Sequence, residues 1–279
     1  MIQKSFKDKK PTLYVVSTPI GNLKDMSYRA VEILNEVDVI LCEDTRTSSK
    51  LLNYYDIHKP LMSFHDFNKE AKQKNAIDIL KSGKDIALIS DAGTPGINDP
   101  GYELILDVIE HDYYVVSIPG ASAAIAAIIS SGLLIQPFTF IGFLPRKKGE
   151  QKTVLETYLN RKETIVIYES PLRVKKTVET LYEVFGDRKI TLARELTKMF
   201  ETITRTTLKK AITIEHDIRG EYVLIVEGSD DPVDLSISIV DHVKQYIEEG
   251  HEEKDAMKAV AKVRHITKSE VYKAYKINQ

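Results

Sequence analysis

The segment "EDTRTS" combines side chains that could move a proton and hold an anion. It follows the apolar run "DVILC" (38–42) and contains Glu43, Asp44 and Arg46. A carboxylate can accept a proton as a general base, and a guanidinium can hold a phosphate bidentately. The segment "SFHDFN" adds His65, another residue type used in acid–base chemistry. The alternative is structural: Glu43, Asp44 and Arg46 would form a salt-bridged helix start, where the helix dipole favours acidic residues.

Loops rich in glycine and proline follow several strand-length apolar runs. They are "STPIGN", "SDAGTPGINDPG", "IPGAS", "FLPRKKG" and "YESPLR". Proline restricts a loop, and glycine lets a ligand approach the backbone closely. Open α/β sheets bind their ligands at the carboxyl ends of the strands. Together these loops predict one binding cleft, although each proline taken singly is also explained as a strand terminator.

Apolar runs alternate with segments of helical period, which predicts an α/β fold. Strands are expected at "LYVVS", "DVILC", "LMSF", "DIALIS" and "YYVVSI", with amphipathic helices between them. Because these runs are apolar on both faces, they predict a mainly parallel sheet that is covered by helices on both sides.

A second set of strands follows the break "SGLLIQP". It comprises "FTFIGFL", "ETIVIYE", "KITLARE", "FETITRTTL" and "EYVLIVEG", and the last three alternate in the manner of an antiparallel or mixed sheet. We therefore predict an N-terminal α/β domain at 12–133 and a C-terminal α/β domain at 134–229, with the cleft between them.

The remaining segment, 235–279, is predicted to form a tail of three short helices with a basic surface. From Ala256 to Gln279 there are six Lys or Arg residues and one acid. Such a unit suits an electrostatic contact with RNA phosphates, as does the second basic stretch "PRKKGEQK". The candidate RNA contacts are Arg146, Lys147, Lys148, Lys258, Lys262, Arg264 and Lys268. The alternative is a solvated helix face.

Composition limits the remaining possibilities. A net charge of -2 over 279 residues argues against strong whole-molecule attraction to nucleic acid, without excluding a local basic face. The single cysteine, Cys42, lies in an apolar run and is predicted to be a buried core thiol. Gly132 interrupts the most membrane-like run, so we expect a cytoplasmic protein. The glycine motifs of Rossmann and P-loop nucleotide sites are absent from the sequence, which argues against both kinds of site. Metal-ligand spacings are also absent, so a metal is not indicated.

Eight motifs occur in a familiar order along the chain. They are "STPIGNLKD", "EDTRTS", "SDAGTPGINDPG", "IPGASAAIAAIISSGL", "FIGFLP", "YESPLR", "ARELTKMFE" and "GEYVLIVEG". Together they resemble the ribosomal RNA small subunit methyltransferase I family, within the tetrapyrrole-methylase superfamily. The resemblance extends from about residue 12 to residue 228.

The resemblance implies two α/β domains of tetrapyrrole-methylase type, a homodimer, and S-adenosylmethionine in the interdomain cleft. The implied reaction is methyl transfer to the 2′-hydroxyl of a cytidine in small-subunit (16S) ribosomal RNA. A ribose hydroxyl is a weak nucleophile, so Glu43 or Asp44 would accept its proton and Arg46 would hold a phosphate. Thr94 stands where relatives that methylate tetrapyrroles carry an aspartate.

The correspondence between loops implies particular cofactor contacts. In the first domain they are Ile20, Gly21, Gly93, Thr94, Ile97, Ser122 and Ala123. In the second domain we choose Tyr168 and Tyr222 by their positions. Asp91, in the same loop as Gly93, would either touch the ligand or hold the loop through its own hydrogen bonds.

Two other functions remain open at this point. One is a carbon methyltransferase that acts on a tetrapyrrole precursor, and the other is an RNA-binding assembly factor without catalytic activity. The basic tail and the "EDTRTS" segment favour RNA methylation over the first, because an acidic macrocycle needs no RNA-binding tail.

Overall fold

The computed structural model of the chain describes residues 2–5, 7–64, 69–230, 237–264 and 266–277. Its first sheet contains β1 (Thr12–Val16), β2 (Val39–Cys42), β3 (Leu61–Ser63), β4 (Ile86–Ile89) and β5 (Tyr114–Ile118). The helices between these strands are α1 (Tyr28–Glu36), α2 (Thr45–Tyr54), α3 (Lys69–Lys81) and α4 (Tyr102–Glu110).

This first sheet is parallel throughout and has the order β3-β2-β4-β1-β5. Its strands bury side chains on both faces, as their apolar sequences predict. Leu34 of α1 packs on one face, and Leu80 of α3 and Leu104 of α4 pack on the other. Cys42 is fully buried, as predicted, and burial raises the pKa of its thiol. The predicted parallel α/β arrangement is therefore confirmed.

The second sheet is mixed, in the order β6-β7-β10-β8-β9. Its strands are β6 (Phe138–Phe143), β7 (Thr164–Glu169), β8 (Lys189–Arg194), β9 (Thr202–Thr207) and β10 (Tyr222–Val226). The helices around it are α5 (Ala123–Ser131), α6 (Lys148–Glu156), α7 (Val174–Phe185) and α8 (Leu208–Ala211). Only the β6–β7 pair is parallel, and the β7–β10, β10–β8 and β8–β9 pairs are antiparallel. The predicted change of strand pattern after β7 is confirmed.

Helix α5 joins the two sheets, and its packing bears on where the first domain ends. Ala124, Ala127 and Ile128 pack against Val166 and Val223 of the second sheet. The helix directly follows β5 of the first sheet in the sequence. Because it is apolar on most sides, it can nevertheless pack against the second sheet. The predicted boundary at 133 and 134 stays a prediction, and by packing α5 belongs to the second sheet.

Three helices form the tail, as predicted: α9 (Ile239–Glu248), α10 (Glu253–Val263) and α11 (Lys268–Ile277). They surround a small core of their own, which includes Val243, Ala256, Val260 and Val271. In the part of the chain that the structure describes, no helix has both the length and the apolar character needed to cross a membrane.

Candidate active site

A cavity of about 430 Å³ lies between the two sheets, where the predicted loops meet. Cavities of this size hold small molecules and cofactors. The loops of the first sheet contribute Ile20, Glu43, Asp91, Ala92, Gly93, Thr94, Ile97, Asn98, Asp99, Ser122 and Ala123. The second sheet contributes Phe143, Tyr168, Glu169, Ser170, Pro171, Ala193, Leu196, Glu221, Tyr222 and Val223.

The loop after β4 is fixed to the end of β1 by backbone hydrogen bonds. Thr18 and Gly93 exchange N–H···O bonds of 2.8 and 3.1 Å, and the Ser17 and Thr94 hydroxyls lie 2.9 Å apart. Gly93 has a φ of 81°, which a residue with a side chain adopts only with strain. Gly93 therefore allows the backbone of the loop after β4 to follow the cavity wall.

Aromatic side chains and the start of α5 form the opposite wall. The Tyr168 hydroxyl accepts a hydrogen bond of 3.1 Å from the backbone N–H of Ala124, one of the donors at the start of that helix. Burial raises the pKa of Tyr168, so its hydroxyl stays neutral at physiological pH. The rings of Phe140 and Phe143 meet Tyr168 edge-on, and the β-bulge between Phe140 and Gly142 turns this strand at the cavity.

The charged residues of the cavity wall are all acidic. Asp91, Asp99, Glu43 and Glu221 line it, and among its described lining residues there is no Lys, Arg or His. Burial is the main cause that raises the pKa of both Asp91 and Asp99. A fifth acid, Glu169, is buried and is engaged by Thr177, whose hydroxyl donates to it at 2.6 Å. Arg173 pairs with Glu169 at 3.2 Å and Lys198 pairs with Glu221 at 3.1 Å from behind the wall, so two of the five acids have a cationic partner. The excess of acids still favours a ligand that carries positive charge.

The side chains of the "EDTRTS" segment divide between the cavity wall and the start of α2. Glu43 lines the cavity, whereas Asp44 caps the start of α2 by accepting the Arg46 N–H at 2.8 Å. The Arg46 guanidinium also binds Asp44, at 3.2 and 2.9 Å. Hydrogen bonds from Arg46 lower the pKa of Asp44 to about 2, which makes it a weak base. The structural alternative holds for Asp44 and Arg46, and His65 lies outside the described residues.

Most of the predicted cofactor contacts lie on the cavity wall. They are Ile20, Gly93, Thr94, Ile97, Ser122, Ala123, Tyr168 and Tyr222. Asp91 also lines the cavity, and its Oδ1 accepts the Asp44 N–H of the neighbouring loop at 3.4 Å. Its contact with the ligand stays a prediction.

Gly21 and Tyr222 are placed differently from the other predicted cofactor contacts. Gly21 is not among the described lining residues; a Cβ placed on it would lie 2.5 Å from Cγ of Lys198, so it gives room for that side chain. The ring of Tyr222 belongs to the core beneath α7, and its hydroxyl donates to the Asp217 carbonyl at 3.0 Å. Because neighbouring strand residues alternate faces, Val223 rather than Tyr222 points with Tyr168 toward α5.

Several lining residues were not singled out from the sequence. They include Asn98, Asp99, Phe143, Ala193, Leu196 and Glu221. All of them lie within the motifs that carry the family resemblance, so the sequence does indicate the segments to which they belong. What the sequence lacks is the information on which side chains of each loop turn inward.

The predicted RNA contacts fall into two groups. Arg146 and Lys147 are exposed just beyond Phe143, although Lys147 pairs with Glu150 at 3.1 Å. The remaining lysine of this stretch, Lys148, pairs with Glu183 at 2.6 Å.

In the tail, charge pairing corrects the picture of a uniformly basic surface. Lys258 pairs with Asp255 at 2.7 Å, whereas Lys262 and Lys268 are exposed. Arg264 turns inward, where its Nε donates to His242 Nδ1 at 2.8 Å. Over 235–279 the sequence has eight Lys or Arg residues and seven acids, so the basic character is confined to the second half of the tail.

The cavity has the properties that S-adenosylmethionine requires. This cofactor has an apolar-faced adenine, a positively charged sulfonium and an amino-acid end. Ile20, Ile97 and Leu196 offer apolar wall, Asp91 and Asp99 offer negative charge, and the N–H groups at the start of α5 suit a carboxylate. The residues present therefore fit the cofactor.

Comparison with known proteins agrees with this geometry. The family model of the Tetrapyrrole (Corrin/Porphyrin) Methylases matches residues 12–212. Proteins named Ribosomal RNA small subunit methyltransferase I are similar over nearly the whole chain. That of Bacillus subtilis is 47% identical, with 99% of both chains covered. That of Synechocystis is 40% identical, with 93% of this chain and 95% of the relative covered.

Two solved structures share the fold at low sequence identity. A diphthine synthase has a TM-score of 0.60 at 15% identity and covers 78% of this chain and 90% of its own. A cobalt precorrin-4 methyltransferase has a TM-score of 0.58 at 20% identity and covers 77% and 94%. The predicted fold class, enzyme class and cofactor are confirmed. The chain belongs to the tetrapyrrole methylases, and within them to the family of ribosomal RNA small subunit methyltransferase I, and it is an S-adenosylmethionine-dependent methyltransferase.

Proposed function

We propose that the chain methylates the 2′-hydroxyl of a cytidine in small-subunit (16S) ribosomal RNA. The observation that carries this proposal is the 47% identity over 99% of both chains to a relative whose name gives the substrate as small-subunit ribosomal RNA. The 2′-hydroxyl and the cytidine come from the family resemblance of the eight sequence motifs. The acidic cavity between the sheets supplies the site.

The methyl group comes from the sulfonium of the cofactor, which is already activated for transfer. The chain then has to align the ribose hydroxyl, exclude water and remove a proton. Glu43, Asp91 and Asp99 are the carboxylates of the first sheet that line the cavity. Asp44 is engaged by Arg46 and has a pKa of about 2, so these three are the better candidates for the proton acceptor among the described carboxylates of the first sheet. His65, the other predicted acid–base residue, lies outside the described residues.

Tyr168 and the loop after β4 position the cofactor in this proposal. Tyr168 is held by the Ala124 N–H, and Gly93 is held by Thr18, so neither has to reorganise on binding. The same acidic wall disfavours a tetrapyrrole precursor, since its carboxylates would meet Glu43, Asp91 and Asp99 without a lining cation.

RNA is held outside the cavity by the exposed cations near its mouth and on the tail. The reaction takes place in the cytoplasm, where bacterial ribosomes work.

We also propose a homodimer. Ile125 and Ile129 of α5, together with Leu134 and Ile135, leave apolar side chains exposed on one segment. Light scattering of the purified protein tests this assembly, and a monomer at micromolar concentration would contradict it.

Labelled S-adenosylmethionine tests the reaction. The acceptors are small ribosomal subunits, or their RNA, from a bacterial strain that lacks its own ribosomal RNA small subunit methyltransferase I. We expect methyl transfer to them, with the label recovered as 2′-O-methylcytidine after nuclease digestion. A tetrapyrrole precursor serves as the competing acceptor. Label in the macrocycle alone would contradict the proposal, and cofactor binding without transfer to either acceptor would favour an assembly factor.

A further inference from the structure

Large apolar side chains that belong to the cavity wall, or follow a wall residue within a few positions, face solvent. Ile97, Phe143, Leu172, Met199 and Phe200 are 57%, 55%, 76%, 92% and 70% exposed. We call these five residues the rim. Contiguous exposed apolar patches are rare on soluble proteins, and where they occur they commonly mark a binding site.

The rim is drawn from three loops, those after β4, β7 and β8, and from the last residue of β6. Ile97 and Phe143 line the cavity themselves. Leu172 directly follows the lining residue Pro171, and Met199 and Phe200 follow Leu196, which also lines it. Chain connectivity therefore keeps all five in the cavity wall or within a few residues of a residue that lines it.

The loop that presents Met199 and Phe200 is held in a fixed shape. Lys198 Nζ pairs with Glu195 at 2.8 Å and with Glu221 at 3.1 Å, while its methylenes pack where Gly21 has no Cβ. Glu195 and Thr197 adopt positive φ values of 52° and 68°, a backbone strain that often occurs at functional sites. The loop is thus built to keep two apolar side chains in solvent.

Charge determines which part of a nucleotide this surface suits. The cavity wall carries carboxylates and repels phosphate, whereas Arg146 and Lys147 are exposed a few residues beyond Phe143. A nucleotide whose ribose enters the cavity must therefore keep its phosphates outside. Its base is left at the mouth, where Ile97 and Phe143 of the cavity wall are exposed.

We propose that the rim stacks on the base of a target nucleotide that has been extruded from the RNA. Unstacked bases bind aromatic and apolar side chains through their faces, and enzymes that modify nucleotides commonly extrude them. Phe200 and Leu172 are not among the described lining residues of the cavity, so they can supply this contact outside the cofactor site. The inference rests on the proposed RNA substrate and deepens it, since it requires a single-stranded or unstacked target.

The test compares Phe200→Ala and Leu172→Ala with Tyr28→Ala. Tyr28 is 93% exposed at the start of α1 and is not among the described lining residues, so it controls for the loss of a surface aromatic group. We expect Phe200→Ala to lower kcat/KM for ribosomal RNA by roughly 5- to 150-fold, the range for losing one base-stacking contact. Phe200→Trp should retain most of the activity, and the affinity for S-adenosylhomocysteine should be unchanged in all variants.

Different results would separate the two levels of the argument. Failure of the wild-type protein to methylate RNA would refute the proposed function, and the inference with it. Normal transfer by the wild type with unchanged kcat/KM for Phe200→Ala would refute the stacking alone. Dissociation of an oligomer by Phe200→Ala, detected by light scattering, would assign the rim to a second copy of the chain and would also refute it.

Discussion

The cavity and the C-terminal tail use charge in opposite ways. The cavity combines Glu43, Asp91, Asp99 and Glu221 on walls whose described lining residues include no cation. The tail leaves Lys262 and Lys268 exposed, but pairs Lys258 with Asp255 and turns Arg264 toward His242. An acidic interior suits a cationic cofactor, and an exposed cation suits a phosphate.

The two regions also differ in how they are held. The cavity depends on loops that cross between two sheets, so its geometry requires the whole fold of residues 20–223. The helices of the tail pack around their own core, which includes Val260 and Val271. This difference implies that cofactor binding and RNA binding can be changed independently, and the following predictions test that separation.

The largest effect is expected from the cavity carboxylates. Glu43→Gln, Asp91→Asn and Asp99→Asn remove one candidate proton acceptor each. The variant that lacks the base should lose about 10²- to 10⁴-fold in kcat, as is typical for general-base catalysis, and should still bind S-adenosylhomocysteine. Asp44→Asn serves as the control because Arg46 already occupies its carboxylate.

The pH dependence of kcat gives an independent measurement. Activity should fall as pH decreases through the pKa of the base, because only the carboxylate accepts a proton. Since burial raises the pKa of Asp91 and Asp99, that decline should occur above the ordinary carboxyl range of about 3.9 if either is the base. Unaltered kcat in all three variants would exclude Glu43, Asp91 and Asp99 from proton transfer.

The next effect concerns the loop after β4. Gly93→Val should weaken S-adenosylhomocysteine binding by about tenfold or more, because the added methyl groups enter a wall of the ligand cavity. It should also destabilise the fold, since Gly93 has a φ of 81°. Calorimetric titration and thermal unfolding measure the two effects.

Gly83 offers a matched control for the backbone strain. Its φ is 85°, and a Cβ placed on it meets no atom within 4 Å. Gly83→Val should therefore lower the melting temperature comparably while leaving the cofactor affinity unchanged. Equal losses of affinity in the two variants would mean that Gly93 acts only through folding.

Removal of the tail should have a smaller effect, and on RNA binding instead of cofactor binding. A chain that ends after Asp234 should bind S-adenosylhomocysteine normally, because every described lining residue lies between Ile20 and Val223. Its affinity for ribosomal RNA should fall, and the salt dependence should flatten by roughly 0.7–0.9 log units for each lost phosphate contact. A lower melting temperature with an unchanged salt slope would instead make the tail a structural support.

The smallest effects are expected from single charge reversals. Lys262→Glu and Lys268→Glu should each weaken RNA binding severalfold and flatten the salt slope by about one contact. Lys258→Glu should have less effect, because its ammonium already pairs with Asp255. Lys244→Glu, at an exposed position of α9, controls for a general change of tail charge, and an equal loss in that variant would exclude a specific basic face.

Much of the fold could be predicted from local sequence. Runs such as "IALI" are apolar on both faces and can be buried only inside a covered sheet, as β4 is. The loops after these strands carry Gly93, Thr94 and Ser122, and all three line the cavity because parallel strands bring their carboxyl ends to one edge.

Side-chain direction could not be predicted in the same way. Glu43 and Asp44 are adjacent in the sequence, yet one lines the cavity and the other caps α2. Tyr222 and Val223 likewise face opposite sides of β10. Arg264 was predicted to meet RNA, but it donates to a histidine on a helix that precedes it by some twenty residues.

The sequence by itself determined the alternation of strands and helices, the position of the ligand-binding edge and the family. These depend on apolar periodicity and on glycine and proline, which act over a few neighbouring residues. Only the tertiary structure decided that α5 packs on the second sheet, that Asp99 and Phe143 join one cavity, and which cations remain exposed. Such features depend on contacts between segments far apart in the chain, and no local pattern encodes the partner of a side chain.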